Sequence, residues 1–190
     1  MTLRWRSMTD GEREREYSPS SCLPDGDYAP FIGEYARASQ SAWTRLIEDE
    51  GADTSVVRYG ESPTNSIDVA MPRSTRADPP LLVFIHGGYW QELSKVVSRF
   101  AADDCVQLGW AFAAIDYTLA PDAHLAQIVD ECRRAVRALL SEATTLGFDP
   151  SRTVLAGSSA GAHLAAMVAL DPHPADHPIW GTVLVSGIYE

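Results

Sequence analysis

From Leu81 onward the chain alternates short, continuous apolar runs with longer amphipathic ones. Leu81–Ile85 (LLVFI), Trp110–Ile115 (WAFAAI), Thr153–Gly157 (TVLAG) and Thr182–Val185 (TVLV) are of strand length and apolar throughout, the pattern of strands buried on both faces. Between them, Leu93–Leu108 predicts a helix closed by Gly109. Leu125–Leu146 predicts a second, with Ile128, Val129, Cys132, Val136, Leu139 and Leu140 on one face and Gly147 at its end, and Ser159–Leu170 predicts a third. Crossovers of this length between strands predict parallel pairing, hence an α/β sheet, mostly parallel, with helices on both faces.

The upstream pattern differs. Residues 1–27 are polar, with an "EREREY" run followed by Ser, Pro and Gly, and read as an N-terminal polar arm; residues 28–190 hold the main domain. Phe31, Tyr35, Ala38, Ala42 and Leu46 recur at three or four within Tyr28–Glu48, which predicts one or two helices ended by Gly51. Ser55–Tyr59 and Ser66–Met71 predict two short strands joined by the turn-rich "GESPTN", and "RSTRADPP" reads as a loop.

Composition narrows the function classes. With 190 residues, 45% of them apolar, the chain is long enough for one domain with a sizeable core. A net charge of −11 without a Lys/Arg cluster argues against nucleic acid or an anionic membrane as partner. Cys22, Cys105 and Cys132 lack paired spacing and read as reduced thiols. The charged start has no apolar signal region and no run is long enough to span a bilayer, so the expectation is a soluble, cytoplasmic protein. Whether it forms a homo-oligomer is left open.

The chemistry lies at two strand ends. Gly157-Ser158-Ser159-Ala160-Gly161 stands between an apolar strand and a helical run. A Gly-x-Ser-x-Gly at such a turn is the nucleophile elbow of α/β-hydrolases, and it lifts Ser159 to a helix N-terminus where backbone N–H groups favour an oxyanion. The second signal is "FIHGGYWQ", in which His-Gly-Gly follows a strand, the pattern of an oxyanion loop. The amides of Gly87, Gly88 and Ala160 are the candidate donors to a tetrahedral oxygen. His86 ends a strand inside this motif and reads as bracing the loop rather than as a base. Asp116 and Tyr117, also at a strand end, read the same way. His163, one helical turn after Ser159, is expected to pack. His173 and His177 share a metal-like spacing but sit in the Pro-rich "DPHPADHP", so a solvated loop is expected, with no metal and no organic cofactor.

Together, "EREYSPSS", "HGGYWQ", "LAPDAHLAQIVDE", "GSSAGAHLAAMVAL" and "LVSGIYE" resemble the serine-dependent kynurenine formamidases (arylformamidases) of the α/β-hydrolase superfamily. The Tyr-Trp after His-Gly-Gly is the most telling detail. The resemblance implies Ser159 as nucleophile, Gly87, Gly88 and Ala160 as oxyanion donors, and Tyr89 and Trp90 as walls of the substrate pocket. It also implies hydrolysis of N-formyl-L-kynurenine to kynurenine and formate through a formyl-enzyme.

One departure stands out. In this fold the order is Ser, then Asp or Glu, then His, on loops after later strands, whereas here a single strand run follows Ser159 before Glu190. The triad acid and His are therefore expected to be absent from this chain, which reads as a hydrolase lacking its C-terminal strands. Glu190 has no His after it, and Asp171 and Asp176 precede the last strand. Little turnover is expected of residues 1–190 alone, with "TVLVS" left as an exposed edge. The alternatives are a carboxylesterase acting on small esters, and a non-catalytic hydrolase fold kept for binding.

Overall fold

The computed structural model describes residues 4–23, 25–48, 51–73, 78–171 and 178–189. The chain divides into two compact units, Met1–Tyr35 and Ala36–Glu190. The first holds helix α1 (Asp10–Glu16), flanked by 3₁₀ turns at Arg4–Ser7 and Pro19–Cys22. A capping box starts α1: the Thr9 hydroxyl accepts from the Glu12 amide, and the Glu12 carboxylate accepts from the Thr9 amide at 2.8 Å. The segment read as a plain polar arm thus contains a helix whose Thr-x-x-Glu signature is visible in the sequence. Helix α2 runs as one piece over Ala29–Glu48, and in the second unit it buries Ser39, Ala42 and Leu46.

The second unit is built on strands β1 (Ala52–Arg58), β2 (Ser66–Pro72), β3 (Leu81–Ile85), β4 (Ala111–Ile115), β5 (Thr153–Ser158) and β6 (Gly181–Val185). Helices α3 (Ala102–Gln107), α4 (Leu125–Ser141), α5 (Ala143–Leu146) and α6 (Ala160–Ala169) connect them. The sheet order is β1-β2-β4-β3-β5-β6. The two pairings of β2, with β1 and with β4, are antiparallel, and the rest are parallel. This is the mixed, mainly parallel sheet that the alternating pattern predicts.

Strand pleating sorts the core onto two faces. Ile67 and Val69 of β2, with Ala111, Ala113 and Ile115 of β4, join Ile128 and Leu139 of α4 and Leu164 of α6 in one cluster. On the other face Ala70, Phe112 and Ala114 meet Leu46 of α2 and Ala102 and Val106 of α3. Each fully buried Ile, Leu or Phe contributes about 1.5–3 kcal/mol relative to exposure. Asp68 lies between Ile67 and Val69, so it points to the second face, where it is 2% exposed.

Two helix expectations are corrected. Leu93–Leu108 is not one helix: Leu93 has φ +69°, Lys95–Ser98 is a 3₁₀ turn, and α3 begins only at Ala102. The segment follows its charges inward, because Lys95 and Arg99 both pair with Asp68. Likewise Leu125–Leu146 breaks at Glu142 into α4 and α5. At the far end β6 is an edge strand with Val183 and Val185 more than half exposed. Among the described residues no helix is long and apolar enough to cross a membrane.

Candidate active site

The sheet order places the C-terminal ends of β4, β3 and β5 side by side. From β5 the chain turns directly into α6, and Ser159 stands at the joint as the helix N-cap with φ +54° and ψ −121°. L-residues rarely adopt this conformation, at a cost of order 1–3 kcal/mol. The surroundings enforce it: the Ser159 amide donates to Val185 O of β6 at 2.8 Å, and Ser159 O accepts from the Ala162 and His163 amides. Gly161 is needed because a Cβ there would run into the carbonyls of Ile85 and His86 at the end of β3. The elbow is therefore wedged against the loop that follows β3.

That loop supplies the other half. Gly88 has φ +97°, and its carbonyl accepts from the Gln91 and Glu92 amides at 2.9 Å each, closing a turn. Among the described residues no acceptor takes the Gly87 or Gly88 amide. Ala160 occupies the first position of α6, where an N–H has no intrahelical acceptor. Of the three predicted donors, Gly87 packs on Ser158 and Ser159, Ala160 follows Ser159 directly, and Gly88 closes the turn beside Gly87.

His86 is fully buried. Its ring stacks on Tyr117, with centroids 4.1 Å apart. Nδ1 lies 2.9 Å from Gly87 O, while Nε2 is 3.3 Å from Asp116 Oδ1, an ion-pair distance without hydrogen-bond alignment. Tyr117 donates its hydroxyl to His86 O at 3.0 Å and more weakly to Gly87 O at 3.4 Å. Burial holds the Tyr117 phenol well above its ordinary range, so it remains a donor. The His86 ring and the Tyr117 hydroxyl hold the loop carbonyls, and Asp116 stands behind His86, facing its Nε2.

Tyr89 and Trp90 part ways. Both have positive φ, but Tyr89 is exposed whereas Trp90 packs on the core and meets His163 edge to face at 5.4 Å. Trp90 Nε1 and His163 Nδ1 are buried without a hydrogen-bond partner. Burial pushes the His163 imidazole below its ordinary range. The Ser159 hydroxyl has no partner among the described residues. His124 caps α4, while His173, Asp176, His177 and Glu190 lie outside the described residues. Asp171 pairs with Arg137 of α4 at 2.6 Å. No group of His, Cys, Asp and Glu among the described residues could hold a metal ion.

Residues 67–177, which span β2 through α6, match the family described as BD-FAE. The chain belongs to the BD-FAE family. This BD-FAE member is 36% identical over 98% of its length to a kynurenine formamidase of Danio rerio and 34% identical to that of Salmo salar. It spans 63% of the length of each of these curated relatives. Among solved structures, a protein of Silicibacter sp. TM1040 provisionally described as a thioesterase superposes with a TM-score of 0.77 at 27% identity, over 93% of this chain and 63% of that one. Esterase B of Lactobacillus rhamnosis gives 0.59 at 25%, over 74% and 49%. The fold is that of the α/β-hydrolases, as the elbow and the strand pattern predict.

Sequence reading missed Asp68, Lys95 and Arg99. Their signal was a lone acid inside an apolar strand run and two cations four apart after the His-Gly-Gly loop.

Proposed function

We propose that this chain carries the nucleophile and oxyanion half of a serine hydrolase of the kynurenine formamidase type. The observation behind it is the packing of Gly87 against the elbow, which sets its unpartnered amide beside a strained serine whose hydroxyl has no partner among the described residues. Ser159 Oγ attacks the formyl carbon of N-formyl-L-kynurenine, and the Gly87, Gly88 and Ala160 amides bind the resulting oxyanion. The C–N bond then breaks, and the arylamine leaves carrying the proton that the Ser159 hydroxyl gave up, so that a formyl ester is left on Ser159. Water cleaves the formyl ester, releasing formate and restoring the serine. Of the two aromatic residues after the glycines, Trp90, packed on the core beside His163, is the one to wall the aryl group, since Tyr89 is exposed. The role fits tryptophan catabolism, and three free thiols fit a reducing cytoplasm.

With no histidine on Ser159 Oγ among the described residues, residues 1–190 alone turn over slowly. What remains is the part that hole and binding supply, about 10³–10⁴ over water. The test is mass spectrometry of the chain after exposure to an aryl phosphonate, beside steady-state assays. A slow adduct confined to Ser159 and lost in Ser159→Ala supports the reading; an adduct elsewhere, or none, defeats it. Ordinary enzyme rates on N-formylkynurenine that Ser159→Ala abolishes would disprove the slow turnover. The esterase neighbours favour a second reading, a carboxylesterase on small esters. It predicts that a short p-nitrophenyl ester outcompetes N-formylkynurenine in forming the Ser159 adduct.

A further inference from the structure

The oxyanion loop is held from behind by a buried ionic cluster whose parts come from three segments. Asp68 of β2 is almost fully buried and faces two cations. Lys95 Nζ lies 2.8 Å from its Oδ1, and the Arg99 guanidinium stands beside Oδ2 as an ion pair without hydrogen-bond alignment. The cations are themselves 11% and 15% exposed. Arg99 is fixed at both ends, its guanidinium also lying 4.4 Å over the Trp43 ring of α2 and its backbone amide donating to Ser39 Oγ at 3.0 Å.

Lys95 extends the cluster toward the site. Its ammonium also donates to Ser66 Oγ at 2.8 Å, and its backbone amide donates to Asp116 Oδ1 at 3.2 Å. Asp116 in turn is anchored to Ser66 O through its own amide and accepts the Tyr59 hydroxyl at its carbonyl. The same Oδ1 faces His86 Nε2. Counted formally, Asp68 and Asp116 cancel Lys95 and Arg99, so the cluster is neutral as a whole. Removing any single member leaves a charge in low-dielectric surroundings.

We propose that Asp68, Lys95 and Arg99 are positioning residues for the oxyanion hole: the buried Asp68 holds the Lys95 turn, the Lys95 amide orients Asp116, and Asp116 sets His86 and with it Gly87 and Gly88. No member touches the reacting atoms. A bland packing role predicts uniform weakening of the unit, whereas a positioning role predicts loosening that begins at residues 86–92.

The inference rests on reading 86–92 as the oxyanion loop, and its test needs no turnover. Amide hydrogen exchange of the whole chain is followed at Gln91 and Glu92, which donate to Gly88 O, and at Ala120, which donates to Trp90 O. The β3 and β5 amides serve as the internal standard. In Asp68→Asn and Lys95→Met the three reporters accelerate about tenfold more than the standard, and Lys95→Arg restores them to within about threefold. Lys95→Met keeps the Asp68–Arg99 pair and serves if Asp68→Asn does not fold. Equal acceleration of loop and core, no change at the reporters, or no rescue by Lys95→Arg overturns the assignment. Failure of wild-type Ser159 to take the phosphonate speaks against the hydrolase reading alone.

Discussion

A methyl group on Gly87 would lie 2.6 Å from the Ser158 carbonyl oxygen and 3.4 Å from Ser159 Cβ. The loop after β3 and the elbow proposed to carry the nucleophile therefore pack directly on each other, with no bulky side chain between them. Gly87→Ala must push the two apart. Its expected effect is a loss of about 10²–10³ in the rate at which Ser159 takes an aryl phosphonate, with the denaturation midpoint moving far less. A rate within about twofold of wild type would show that the added methyl does not displace the loop from the elbow and that their close packing is not needed for reaction at Ser159.

The strain at Ser159 is separable from its chemistry. Ser159→Ala removes the hydroxyl and keeps a side chain at φ +54°; Ser159→Gly removes both. Relief of strain outweighs the extra chain entropy of glycine, so Ser159→Gly is more stable than Ser159→Ala by about 1 kcal/mol. Urea unfolding of the two variants checks this, and the reverse order would mean that the elbow is unstrained.

Truncating Asp68 strands two largely buried cations. Asp68→Ala is expected to cost about 3–5 kcal/mol. Replacing the whole trio by Asp68→Leu with Lys95→Met and Arg99→Met costs much less than the sum of the single changes. A denaturant series on the singles and the triple gives the answer, and additivity would mean that the three do not act as one unit.

Val183 and Val185 leave the outer strand apolar and uncovered. The 190-residue chain is expected to self-associate at micromolar concentration, and Val183→Lys with Val185→Lys to reduce that association. Sedimentation velocity across a concentration series measures both. A wild-type chain that stays monomeric throughout would contradict it.

Thiol labelling probes the core without any substrate. Cys22 is exposed and Cys132 fully buried, and burial with Asp104 nearby pushes the Cys105 thiol up to about 11. Because the thiolate is the reactive form, raising the pKa slows attack at pH 8. One thiol reacts promptly with an aromatic disulfide, Cys105 follows slowly and faster as pH rises, and Cys132 reacts only on unfolding. Prompt reaction of all three would show that the described core is not formed.

The strands and the elbow were legible because their signals are local: continuous apolar runs for β3, β4 and β5, and glycines two before and two after Ser159. The Leu93–Leu108 segment was not, because its apolar spacing permits a helix while its course is set by Asp68, distant in sequence on β2. The same long-range pairing hid Lys95 and Arg99, which look like ordinary surface cations until the sheet brings the carboxylate beneath them. Helix α1 is the opposite case, a local capping signal present in Thr9 and Glu12 and overlooked among the charges. Tyr89 and Trp90 are adjacent in sequence and yet diverge, since two consecutive positive φ values turn one side chain outward and the other onto the core.

The hydrogen bond from the Ser159 amide to Val185 O ties the elbow to an edge strand of the sheet. Any strand that docks along β6, from whatever source, also damps the fraying that would release that amide. Strand docking and nucleophile geometry are thereby two ends of one thermodynamic linkage, so the reactivity of Ser159 becomes a gauge of whether the edge of the sheet is occupied.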